Sequence, residues 1–141
     1  HNMQVCVPST PAQIYHLLSL LEADAAGEVA RRASATQLAR LAQLHERLEK
    51  QVRQRDAFFA ANEQFHMALL DIAGNRWRTQ IVTDLRKVMK LNRHHSLFKQ
   101  GRLTDSLAEH RALMTAITAG ESSKAAKLMR EHFASGLEAA A

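Results

Sequence analysis

Residues 103–136, LTDSLAEHRALMTAITAGESSKAAKLMREHFASG, decide the fold. Leu103, Leu107, His110, Met114 and Ile117 follow one another at steps of four, three, four and three, the spacing that puts side chains on one face of an α-helix. Gly120 then interrupts the pattern, and Ala125, Leu128, His132 and Gly136 resume it at the same spacing. Two helices joined by a short turn result, and each has an imidazole where an apolar core residue is expected.

The same periodicity runs back through the chain. Asp56 to Ala73 reads as a third helix with the inward stripe Phe59, Asn62, His66, Leu69 and Ala73, closed by Gly74, with Asn75 able to cap the next helix. Ser9-Thr10-Pro11 signals the start of a first helix over about 11–32, with Ile14, Leu17, Leu18, Leu21 and Ala25 on its apolar stripe. Ser34-Ala35-Thr36-Gln37 has the form of a capping box before Leu38, Leu41, Leu44, Leu48 and Val52, a second helix ending near Arg53. The fourth helix carries Trp77, Ile81, Leu85, Val88 and Met89 and ends before Gly101; the fifth spans about 103–119 and the sixth about 122–138. The only prolines are Pro8 and Pro11, so little else breaks these segments. The expected fold is all-α, an antiparallel bundle of six helices around a buried metal or ligand cavity, with residues 1–10 a linker or cloning remnant and 11–138 the folded domain.

Composition narrows the function. A chain of 141 residues with 46% hydrophobic and 23% charged residues is one ordinary globular domain. Cys6 is the only cysteine, so there is neither an intramolecular disulfide framework nor a cysteine-based zinc motif, and the cytoplasm is the expected compartment. No apolar run is long enough to span a membrane, and no signal peptide is visible. The net charge of +5 and pI near 9.9 would suit nucleic acid, but the cations are scattered among Asp and Glu, and only seven residues are aromatic. Solvated helix faces account for them better than direct DNA contact.

Asn62, His66, His110 and His132 all occupy seam positions, on three helices. Buried polar groups without partners cost on the order of 1–3 kcal/mol each, so four in one bundle call for something that satisfies them together. A divalent transition metal does so: imidazole nitrogen suits zinc first, with nickel or iron as the other candidates, and an i, i+4 pair can chelate one ion. The remaining histidines do not share the pattern. His1 is terminal, His16 and His45 lie off or at the edge of their stripes, and of the His94-His95 pair only His95 is a remote candidate.

Asn62-Glu63-Gln64-Phe65-His66, Ala73-Gly74-Asn75, Glu109-His110-Arg111 with Ala116-Ile117, and Ala125 to Met129-Arg130 with His132 together resemble the FCD domain, the effector-binding domain of FadR-type members of the GntR superfamily of transcription regulators. The resemblance runs from Leu21-Glu22 to His132. It implies a metal held by Asn62, His66, His110 and His132, a small organic acid as effector, a homodimer, and contact with operator DNA only through a winged helix-turn-helix that this chain does not include. Many relatives have Asp at the position of Asn62, and an Arg at the position of Leu18; Arg86 and Arg93 on the fourth helix are the replacement anchors for an acidic effector.

The domain is accordingly expected to sense a ligand and not to be an enzyme. A metal-dependent hydrolase is the alternative, and it needs a carboxylate beside the metal to take a proton from water. Glu109 and Glu131 directly precede histidines and so point about 100° away around the helix, while Glu63 lies off the Asn62/His66 face. A di-iron site needs a second Glu-x-x-His pair, which Leu107 and Met129 deny.

Overall fold

A computed structural model describes residues 10–91 and 101–140. Six helices account for almost all of them: α1 Thr10–Arg32, α2 Ala35–Gln51, α3 Arg55–Ala73, α4 Arg76–Leu91, α5 Arg102–Thr118 and α6 Ser122–Ala140. The helix ends follow the local chemistry read from the sequence. Ser34 Oγ accepts from the Gln37 backbone N–H while Gln37 returns a bond to the Ser34 N–H, a complete capping box. Gly74 closes α3 at φ 88°, a conformation that disfavours any residue with a Cβ. Asn75 Oδ1 then accepts from the Trp77 and Arg78 N–H groups at the start of α4.

Polar pairs give the helix directions. Arg40 meets Asp71 and Arg47 meets Gln64, so α2 and α3 run antiparallel. Gly27 faces Ser122 and Ala126 while Tyr15 faces Gly136, so α1 and α6 do the same. The α1/α6 contact is the most extensive in the bundle, and α1 also touches α3, α4 and α5. Small residues permit it: Ala23, Ala25, Ala26, Gly27 and Ala30 make the second half of α1 buried on most of its circumference. A Cβ at Gly27 would stand 3.2 Å from Ser122 Oγ.

The seams of α2, α5 and α6 pack inward, with Leu41, Leu48, Leu107, His110, Ile117, Ala125 and His132 buried as their spacing predicts; on α6 Met129, outside the predicted stripe, is fully buried while Leu128 and Gly136 are half-buried. The fourth helix differs from its apolar reading. Trp77, Ile81 and Val88 are exposed, and the buried or half-buried face carries Arg78, Val82, Leu85 and Arg86. The two arginines can face inward because α1 supplies them with anions, Asp24 for Arg78 and Glu22 for Arg86. No helix among the described residues is long and apolar enough to cross a membrane.

Candidate metal centre

Three helices deliver the imidazoles. Helix α3 places His66 one turn after Asn62, α5 supplies His110 and α6 supplies His132. His66 and His110 are at most 1% exposed and His132 is 9% exposed. The rings of His66 and His132 stack at 5.4 Å, and His110 stands edge-on to both at 5.1 and 4.7 Å. One nitrogen from each ring lies within 4.8 Å of the other two. Phe65 and Phe133 wall the cluster edge-on, keeping its surroundings apolar.

Behind two of the rings stand carboxylates. His66 Nδ1 donates to Glu22 Oε1 at 2.5 Å, and Arg86 Nη2 donates to Glu22 Oε2 at 2.7 Å. His132 Nδ1 donates to Glu109 Oε1 at 2.5 Å, and Arg102 grips the same carboxylate with bonds of 2.8 and 2.9 Å. A carboxylate that takes Nδ1–H fixes the tautomer, so the lone pair sits on Nε2, the nitrogen left for a metal.

The electrostatics keep these charges in place. Burial pushes the Glu22 carboxyl's pKa up, but Arg86 and His66 more than offset it and hold it at about 2. Burial likewise opposes ionisation of Glu109, and its bonds to His132 and Arg102 bring it to about 2. For His66 burial outweighs the attraction of Glu22, lowering its pKa to about 4. His110 is pushed well below the usual imidazole value by burial and by the charges of His132, His66, His45 and Arg86. At neutral pH His66 and His110 are therefore neutral, the form that ligates metals.

Unpaired atoms test the fit to a cation. His66 Nε2, both nitrogens of His110 and the Asn62 Oδ1 are buried and make no hydrogen bond. The three nitrogens of the cluster alone amount to several kcal/mol of unsatisfied polarity by the usual mutational scale of ~1–3 kcal/mol each. Nitrogens around one tetrahedral zinc stand roughly 3.4 Å apart, given Zn–N bonds of about 2.1 Å. The ring nitrogens lie within 4.8 Å of one another and would draw together to that spacing around an ion, and the donor set fits a borderline transition metal.

His66, His110 and His132 thus come together as the sequence predicts, and Asn62 sits a turn away with its oxygen buried. Arg86 reaches the cluster as the partner of Glu22, a role that the sequence reading did not assign to it. Arg93, like His94 and His95, lies outside the described residues. Glu22, Glu109 and Arg102 were not anticipated as supports. For Glu22 a signal existed, since it falls four residues after Leu18 on the inward face of α1. Of the carboxylates weighed as a hydrolytic base, Glu63 pairs with Lys90 at 2.6 Å and Glu109 is held by His132 and Arg102.

A separate groove of about 520 Å³ opens between the end of α1 and the start of α4, lined by Asp24, Glu28, Arg32, Trp77 and Arg78 among others. It shares no residue with the histidines; Asp24 pairs with Arg78 and Glu28 with Arg32, while Arg76 lies over the Trp77 ring.

Comparison with curated proteins finds no match. The family model for the FCD domain matches residues 13–135, nearly the whole bundle and all three clustered histidines. The chain belongs to the FCD domain family, the C-terminal domain of GntR/FadR-type regulators.

Proposed function

We propose that this domain senses a small organic acid through a divalent transition metal, zinc first among the candidates, held by Asn62, His66, His110 and His132. The observation that carries the reading is the cluster of three buried imidazoles, two of them oriented by carboxylates, with one nitrogen of each ring within 4.8 Å of the others and unpaired nitrogens on His66 and His110. When bound, the metal supplies a Lewis-acid centre to which a carboxylate oxygen can attach.

Charge balance favours an anionic effector. The two carboxylates behind the ring nitrogens are matched by Arg86 and Arg102, and imidazoles bind a metal in their neutral form. The protein thus contributes no net charge against a dication, and an acid completes the neutralisation. Arg86 is near enough for its charge to act on both His66 and His110, and its Nε is buried without a partner, a donor available to an incoming carboxylate. Arg93 is the second anchor in this proposal.

In the intact regulator the effector acts by favouring one arrangement of the bundle, which changes how the DNA-binding domains are placed on operator DNA. A homodimer is part of this reading. Among the described residues the exposed large apolar side chains, Leu17, Leu20, Trp77, Ile81 and Val88, all lie on the neighbouring helices α1 and α4, a face suited to a second copy.

Metal analysis of the zinc-loaded protein tests the site. Wild type is expected to hold one equivalent, and His66→Ala and His132→Ala none. A panel of hydroxy- and dicarboxylic acids should then raise the melting temperature only of metal-loaded protein; an equal rise in chelator-treated protein would sink metal-mediated sensing.

A further inference from the structure

The carboxylates behind His66 and His132 are held in different ways. Glu22 has a side chain with no exposure at all, and Arg86 gives it one bond, to Oε2. Enclosed on α1, it has no water to turn toward. The Glu109 side chain is 24% exposed. Water competes for its oxygens, so burial alone does not set its direction.

Arg102 supplies what burial does not. Its Nη2 donates to Glu109 Oε1 at 2.8 Å and its Nη1 to Oε2 at 2.9 Å, the two-pronged geometry that fixes the plane of a carboxylate as well as its position. Oε1, the oxygen that Nη2 holds, also takes the Nδ1–H of His132 at 2.5 Å. Arg102 and Glu109 are seven residues, about two turns, apart on one face of α5, so both ends of the clamp stand on one element. Across from them α6 makes room. Gly136 follows His132 by one turn, and a Cβ there would stand 3.9 Å from Arg102 Nη2 and 3.4 Å from the Tyr15 ring. Arg102 is only 8% exposed, although it is the first residue of its helix.

We propose that Arg102 is a positioning residue for His132: by clamping Glu109 it keeps the Nδ1–H of that ring directed at Oε1 and the lone pair on Nε2. Without the clamp Glu109 can swing toward solvent, and the proton of the ring is no longer confined to one nitrogen. His66 provides an internal reference, because its own carboxylate comes from α1 and is closed off from water. The ligand role of His132 rests on the metal reading above, whereas the orientation of its ring does not.

Long-range proton–nitrogen NMR of the imidazoles in the metal-free, full-length chain at mildly alkaline pH reads the tautomers directly. In wild type His132 should show a single tautomer with the proton on Nδ1. Arg102→Met, which keeps much of the side-chain bulk, should give a mixture at His132 and leave His66 as it was. Arg102→Lys keeps the charge without the fork and should fall between the two, so the order is readable even where the methionine variant folds poorly. Zinc titration against a chelator should show affinity ~10-fold weaker in Arg102→Met, with part of it recovered in Arg102→Lys. A His132 pattern unchanged in Arg102→Met overturns the proposal, and so does one that changes together with His66, the mark of a general loosening of the bundle. If wild type takes up no zinc, the metal reading falls, and the metal-free spectra still decide the role of Arg102.

Discussion

Replacing Glu22 with Gln removes one charge from the interior and leaves the shape nearly unchanged. Glu22 is fully buried, accepts from His66 Nδ1 and Arg86, and has its pKa lowered from 4.5 to about 2. The folded state therefore prefers the charged form by some 2.5 pKa units, which at 1.36 kcal/mol per unit is about 3 kcal/mol. Removing one partner of a buried ion pair typically costs about 3–5 kcal/mol, the same range. For a domain of this size the loss corresponds to roughly 10 °C in melting temperature.

Urea unfolding of the metal-free Glu22→Gln protein at pH 7 measures this directly, and chelator competition measures zinc. Zinc affinity should weaken ~10–100-fold, because the amide can accept the Nδ1–H of His66 only as a neutral, weaker acceptor. The double variant Glu22→Gln/Arg86→Met removes the stranded cation and should recover part of the stability without the affinity. A single variant within about 1 kcal/mol of wild type, binding zinc as tightly, would refute the assignment of Glu22 as the anchor of His66.

Acidification of the metal-free domain should destabilise it well above the carboxylate range. The unfolded chain takes up the His66 proton near pH 6.5 and the folded chain only near 4, so stability present above 6.5 is lost as pH falls through that window, by about 3 kcal/mol, with His110 adding in the same direction. Glu22 follows lower, its contribution disappearing between pH 4.5 and 2; urea midpoints that stay flat from pH 7 to 4.5 would contradict this order. Ser34→Ala deletes the α2 cap and should cost about 1 kcal/mol by the same assay. Ile81→Glu on the exposed face of α4 should convert a dimer to monomer in light scattering while leaving zinc binding intact, and an unchanged mass would remove that face from the dimer.

The helices and the imidazole cluster were legible because their signals are local. Ser34, Gly74, Asn75 and Gly120 mark ends through backbone chemistry that needs no tertiary context, and His66, His110 and His132 stand out against apolar neighbours at fixed spacing. The supporting charges were not legible for a matching reason. A Glu beside an apolar stripe is usually solvated, and whether Glu22 is inside depends on α3 and α4 packing against α1, where His66 and Arg86 meet its carboxylate. Glu109 does point away from its own helix's seam, and it matters only because α6 brings His132 Nδ1 to that side. On α4 two stripes compete, one apolar and one bearing Arg78 and Arg86. Asp24 and Glu22, more than fifty residues earlier in the chain, decide which turns inward.

The small residues where Gly27 of α1 meets the start of α6 have a mechanical result. Long side chains can take up a small displacement by changing rotamer, but Gly27 set against Ser122 and Ala126 leaves no such slack. A shift of α6 that reseats His132 is then expected to press on the α1 backbone, which also bears Glu22, the partner of His66. With so little slack at that contact, a displacement of α6 is expected to be passed on to α1.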